Sequence, residues 1–257
     1  MTRSPHGLER SNLMEDHSTY TEQITLDEGD VDYRGLMRPS ALLRCAEHMA
    51  TAHAWGLGMD KAFYSARHMV YLVGRQAFQF YRVPAMRETV TLTTYPEKTH
   101  RGANKRVLVV RSLEGEELAR VDTRWTLVDT DAGKIIRHIP EEMDRYWSDT
   151  IDWELSLQVP KAAQLTSAGV RQAAYSLCDT NRHINNAAYL DVVCDALPAD
   201  VMAQGSMQYA VIKYHRQVPM GEEMELFYGP AESEAGPGWY VTGRREDKAA
   251  FELFCRF

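Results

Sequence analysis

The chain has 257 residues, 44% of them hydrophobic and 25% charged, and carries a formal net charge of −7. Fractions like these belong to folded globular chains and exclude wholesale disorder. The acidic balance argues against nucleic acid as a partner, no apolar run reaches the roughly 18 residues of a membrane-spanning helix, and the length suits one large domain or two small ones.

Residues 1–18 are polar and include Glu9, Glu15 and Asp16. They lack the apolar centre of a signal peptide and the acid-poor make-up of a transit peptide, so they read as a flexible leader. Pro39 suits the first turn of a helix whose Leu42, Ala46, Met49 and His53 share one face until Gly56 and Gly58. His53 is expected to be a satisfied core histidine. Glu47-His48 followed by His53 does not have the HExxH spacing, so no metal is expected. Segments 69–81, 89–95, 106–113 and 118–128 are rich in β-formers or alternate, with turns at Gly115 and Asp131-Ala132-Gly133. Pattern is weakest between residues 146 and 168, where a join is expected. After Asn186, apolar residues at Tyr189, Val192, Val193, Ala196 and Leu197 form one helix face, and Pro198 stops it. Segments 207–215, 224–228, 239–244 and 250–257 read as strands, with a hairpin tip near residues 234–238. A helix followed by strands, twice over, predicts an α+β fold rather than alternating βαβ units. Cys45, Cys178, Cys194 and Cys255 form no CxxC or zinc-like spacing, which suits a cytoplasmic protein with scattered thiols.

The two halves also match each other. The segment from Asp32 to Leu43 aligns with Asp179 to Leu190, an acidic residue opening a loop before an apolar helix in both. Tyr81-Arg82-Val83-Pro84 aligns with Arg216-Gln217-Val218-Pro219, each followed by an alternating segment. Two matches in the same order point to a duplicated unit.

The informative stretch is Asp179-Thr180-Asn181-Arg182-His183-Ile184-Asn185-Asn186-Ala187-Ala188-Tyr189. Aspartate and asparagine are good helix caps, but capping requires neither a histidine nor so many amides. The cluster suits acyl transfer to water. A helix N-terminus offers unpaired N–H groups that can stabilise an oxyanion, one such donor being worth roughly 2.7–4 kcal/mol. His183 can polarise a carbonyl or relay a proton, Asp179 can orient it or accept a proton, and Asn181 can hold water or a carbonyl.

Asp-x-Asn-x-His-x-Asn-Asn-x-x-Tyr resembles the C-terminal motif of acyl-acyl-carrier-protein thioesterases, the plant type and its bacterial relatives. Val31-Asp32-Tyr33-Arg34-Gly35, Tyr81-Arg82-Val83-Pro84 and Trp125-Thr126-Leu127-Val128-Asp129 resemble the family's N-terminal half. The resemblance implies a double hotdog: two tandem units, each a curved antiparallel sheet around a central helix. It divides the chain into a leader 1–18, an N-terminal hotdog 19–146 holding the acyl pocket, a linker 147–167 and a catalytic C-terminal hotdog 168–257. It implies catalytic roles for Asp179, Asn181 and His183, with Asn185 and Asn186 as substrate contacts. The family's glutamate position falls on Gln217 in the stretch from Tyr214 to Val218, and its cysteine on Val218. Glutamine can orient water but cannot accept a proton, so water attack with Gln217 as a positioning group is expected. The first half has Arg34 and Leu36 where the second has Asn181 and His183, which implies one active site per chain.

The resemblance implies hydrolysis of fatty acyl-acyl carrier protein in the cytoplasm, with no cofactor and a homodimer as an open assembly. An acidic carrier needs a local basic surface. Lys98, Arg101, Lys105 and Arg106, around a loop with Gly102 at its tip, are the expected docking patch. The rival readings are an acyl-CoA thioesterase and a non-catalytic acyl-carrier or lipid-binding module.

Overall fold

The computed structural model describes residues 18–100, 102–144, 147–148 and 151–257. The leader expected over 1–18 therefore lies almost wholly outside the described residues, as does Arg101. The first half runs β1 (Tyr20–Thr25), α1 (Pro39–Gly56), α2 (Lys61–Ala66), β2 (Met69–Phe80), β3 (Thr89–Pro96), β4 (Ala103–Ser112) and β5 (Glu117–Asp129). A short β6 (Lys134–Ile135) and α3 (Glu141–Asp144) follow. The second half runs β7 (Thr166–Gln172), α4 (Ala188–Ala196), α5 (Ala199–Met202), β8 (Tyr209–Tyr214), β9 (Glu223–Ser233), β10 (Gly236–Arg245) and β11 (Lys248–Arg256).

The strands form one continuous sheet in the order β1-β3-β4-β5-β2-β8-β11-β10-β9-β7. The second half repeats the strand order of the first in mirror sequence. Its centre is the antiparallel β2–β8 seam, in which Ala77 faces Val211, flanked by Gln76 with Ile212 and Phe78 with Ala210. A pseudo-two-fold axis passes through that pair. Each half-sheet curves over its own helix. Leu42, Leu43, Ala46 and Met49 of α1 and Tyr189, Leu190, Val192 and Val193 of α4 meet the inner faces of both half-sheets in one core. Ser40 Oγ donates to Asp191 Oδ1 at 2.6 Å and ties the two helices together. This is the double hotdog, an α+β fold.

The backbone repeats to the level of single hydrogen bonds. In the first half Met37 N donates to Pro84 O, Met86 N to Gly35 O, and Tyr81 N to Leu118 O. In the second Ile184 N donates to Val218 O, Met220 N to Arg182 O, and His215 N to Ala250 O. The first sequence match, Asp32 with Asp179, agrees with this register. The second is one residue out: Pro84 corresponds to Val218, so aligning it with Pro219 slipped the chain. The strand expected to carry Gln217 also stops early. β8 ends at Tyr214, and Gln217 is an exposed residue of the connection after it, at the position of Val83.

Every strand expected from pattern is present. Missed were the two-residue β6, and β1 and β7, the outermost strands of the sheet. β7 buries almost nothing and is interrupted by Gly169, whose φ of 86° marks a register shift against β9. Such a strand carries no apolar alternation to read.

Candidate active site

The motif loop is a narrow turn with its base clipped shut. Cys178 pairs with Ile184 across it. Asp179 N donates to His183 O at 3.1 Å, and Arg182 N donates to Asp179 O at 3.0 Å. Asp179 Oδ1 accepts from Asn181 N at 2.8 Å, the local turn that aspartate favours. Arg182 takes a φ of +63° to close the turn. His183 in turn pairs with Pro219, so the loop is held to the chain after β8.

His183 Nδ1 lies 3.2 Å from Ile184 O. A carbonyl only accepts, so in the neutral ring Nδ1 carries the proton and Nε2 the lone pair. Asn181 is exposed and His183 half-buried. Gln217 makes no hydrogen bond among the described residues.

Asn185 and Asn186 sit between the loop and α4. Asn185 Oδ1 accepts from Ala187 N at 2.9 Å, and Asn185 O accepts from Ala188 N at 3.0 Å. Two of the leading amides expected to face a carbonyl are thus taken by the chain itself. The Tyr214 hydroxyl lies 2.9 Å from Gln76 Oε1 and 3.0 Å from Asn186 O and shares its one proton between them. Gln76 also donates to Thr123 Oγ1 at 3.3 Å. This buried chain of polar groups pins the start of α4 to the first half.

The residue that sequence reasoning missed is Glu47. It lies on α1, and its Oε2 accepts from Asn185 Nδ2 at 3.2 Å, 138 residues away in the chain. The side chain as a whole is half-buried, but Oε1 has no solvent access and no hydrogen-bond partner. Burial raises its pKa, the Asn185 hydrogen bond lowers it, and the nearby Asp179 charge raises it again, leaving the carboxyl at about 7. One signal was available: Glu47 shares a helix face with Leu43 and Ala50, both buried, and a carboxylate there calls for a partner.

A cavity of about 590 Å³ opens beside Thr180 and Asn181. The first half supplies the rest of its lining, including Ala50, Thr51 and Ala54 of α1, Tyr64 of α2, Tyr71 of β2 and Trp125 of β5. Glu47 stands one helical turn before Ala50 and Thr51, at the loop end of this wall. Asp179, His183 and Gln217 do not line the cavity. Leu42 and Met49 belong to the core rather than to the lining, and strand β2 contributes only its first three residues. The cavity exists because α1 has 18 residues and α4 only nine. Pro198 ends α4, whereas α1 runs on into α2 and frames a space.

Two residues of the expected docking patch, Lys105 and Arg106, are not on the surface. Lys105 is 6% exposed, donates through Nζ to Ile151 O at 2.8 Å and lies 3.7 Å from Glu97. Arg106 is 7% exposed and points to the other face of β4. β4 lies between β3 and β5 with both faces covered, so a basic pair there is interior. Lys98 is half-buried, its N–H donating to Ser148 O at 2.8 Å. Gly102 does mark the turn, with a φ of +85° and Ile135 filling the place a Cβ would need.

Residues 17–146 match the acyl-ACP thioesterase N-terminal domain and residues 164–250 the acyl-ACP thioesterase C-terminal domain. The chain is 20% identical over 226 residues to oleoyl-acyl carrier protein thioesterase 2, chloroplastic, of Arabidopsis thaliana, covering 80% of this chain and 61% of that protein. It spans a similar 63% of the second Arabidopsis oleoyl-acyl carrier protein thioesterase. The structure of a putative oleoyl thioesterase from Lactobacillus plantarum superposes with a TM-score of 0.83 at 21% identity, covering 93% of this chain and 95% of that one. An acyl-ACP thioesterase from Bacteroides thetaiotaomicron gives 0.79 at 19%, covering 93% and 97%. At these identities the superpositions speak for the fold.

Proposed function

The chain belongs to the acyl-ACP thioesterase family, and we propose that it hydrolyses the thioester of a fatty acyl group carried on an acyl carrier protein, releasing the free acid and the carrier thiol. The observation that carries this reading is the convergence of a carboxylate from the first half, Glu47, on the motif loop of the second, whose Thr180 and Asn181 line a cavity of about 590 Å³. Neither half holds the whole set.

The chemistry assigned to each group follows from its surroundings. Asn181, at the cavity, offers its side-chain N–H to the thioester carbonyl, where a donor stabilises the developing oxyanion. Glu47 takes a proton from water as the water oxygen bonds to the carbonyl carbon. The tetrahedral intermediate collapses, the C–S bond breaks, and the leaving thiolate receives that proton. His183 Nε2 and Asp179 Oδ2, which have no hydrogen-bond partner among the described residues, hold the water and pass the proton. A carboxyl group poised near neutrality is suited to this task. Gln217 is left outside the reacting groups.

The test is hydrolysis by the purified chain of acyl groups on acyl carrier protein and on coenzyme A, with His183→Ala as control. Turnover on the carrier above that control supports the reading. Turnover on coenzyme A alone moves it to an acyl-CoA thioesterase, and turnover on neither sinks it.

A further inference from the structure

Arg106 is the one buried arginine among the described residues. Arg34, Arg82, Arg120 and Arg124 each hold a carboxylate in a close ion pair. Arg106, among the most buried of them, has no carboxylate within ion-pair distance among the described residues. Its Nη1 lies 3.2 Å from His53 Nδ1 and 3.4 Å from Thr94 Oγ1. A guanidinium only donates, so His53 Nδ1 accepts and brings no countercharge. The face of Trp147 lies 5.2 Å away. Burial lowers the Arg106 pKa, with the Tyr71 and Tyr64 hydroxyls opposing, to about 10, so it stays charged at neutral pH. Burial pushes the Tyr64 hydroxyl up to about 12, so it stays neutral. Nε and Nη2 of Arg106 have no acceptor among the described residues.

This cation, without a carboxylate partner among the described residues, lines the same cavity as Asn181. Its partner His53 sits six residues beyond Glu47 on α1, about 9 Å along the helix. A methyl-ended chain entering from the loop would meet a guanidinium it cannot satisfy. A carboxylate would meet two free N–H groups in the fork geometry that binds it best. Tyr64, Tyr71 and Trp125 supply apolar walls for the carbons between.

We infer that the cavity takes a short acyl chain whose far end carries an oxygen acceptor, a carboxylate above all, and that Arg106 is the specificity-determining residue that reads it. The inference rests on the hydrolase reading above and names the substrate class of that site.

The experiment loads six- and eight-carbon acyl groups ending in methyl, hydroxyl or carboxylate onto the same acyl carrier protein and compares kcat/KM. The carboxylate-ended groups should exceed their methyl-ended counterparts at least tenfold, and Arg106→Met should invert that order. Faster turnover of methyl-ended groups by the wild type, or an equal loss on all substrates in Arg106→Met, overturns the inference. Because a buried substitution can unfold the chain, calorimetric binding of the free acids to the wild type gives a second reading. The dicarboxylates should bind at least tenfold more tightly than the monocarboxylates, and equal affinities overturn the proposal. If no thioester is hydrolysed, the hydrolase reading fails, and acid binding still decides the role of Arg106.

Discussion

Around the pseudo-two-fold axis, the loop at Asp32 and the loop at Asp179 share a backbone and differ in what their side chains do. In the first, Asp32 Oδ2 accepts from Arg34 Nη2 at 2.8 Å and Nε at 3.0 Å, and Arg34 Nη1 reaches Met202 O at 3.4 Å. The carboxylate is neutralised and the loop is plugged. In the second, Asn181 stands in the place of Arg34 and leaves Asp179 with only a backbone N–H on Oδ1. Leu36 gives way to His183. Facing the second loop is Glu47; the same register places Cys194 facing the first, its thiol raised by burial to about 12 and therefore neutral. The difference teaches that the backbone of a hotdog loop is not the site. The site is what three or four side chains make of that backbone, one of them donated by the other half.

The largest expected effect separates the two loops outright. Asp179→Ala should lower kcat by about a thousandfold, within the range for loss of a group that handles protons. Asp32→Ala should leave kcat within about twofold, since it touches nothing the reaction uses. Steady-state rates on one acyl-carrier substrate, with thermal melts to confirm folding, check the pair. Equal losses would mean that the first loop is not a relic.

The division of labour across the axis explains how much was legible in the sequence. The Asp179 motif was legible because its residues are contiguous and of rare type. The helices and inner strands were legible because burial on one face leaves a period. Glu47 was not, because its meaning lies in Asn185, on another helix-leading loop of the other half. Lys105 and Arg106 misled because charge reads as surface until the strand carrying it is known to be covered on both faces. The one-residue slip in the second repeat match came from aligning two prolines, where the hydrogen bonds align Pro84 with Val218.

Glu47 sharpens the comparison next. Glu47→Gln should lower kcat about a hundredfold, and Cys194→Ala, at the related position, should leave it unchanged. In the wild type kcat should rise with pH as Glu47 loses its proton near pH 7. In Glu47→Gln that limb should be absent, and a limb that persists would assign the titration to another group.

The same residue also predicts a stability effect with a definite sign. Glu47 has a folded pKa of about 7 against an ordinary value of 4.5, so the folded state prefers the protonated form. Its relative stabilisation is fullest below pH 4.5 and is lost as pH rises towards 7. Replacing it with glutamine should therefore stabilise the fold at pH 8, by at most ~3 kcal/mol, and change little at pH 4. Denaturant melts at the two pH values read this directly. No pH-dependent difference would mean that the carboxylate is solvated.

The smallest expected effect tests the plug itself. Burial raises the Asp32 carboxyl, but hydrogen bonds from the Arg34 side chain and backbone, and from Leu36 N, outweigh it and hold it below its usual value. A lowered pKa adds stability that is present above the unfolded value near 3.8 and is lost as pH falls through the folded one. Arg34→Ala should therefore cost about 0.5–1 kcal/mol at pH 7, as for a partly exposed pair, and progressively less in acid. It should leave kcat untouched, because unplugging the first loop opens no cavity: Pro198 still ends α4 where α1 would run on. A gain of hydrolysis in Arg34→Ala would break the comparison from the other side, by showing that one arginine alone had silenced a second site.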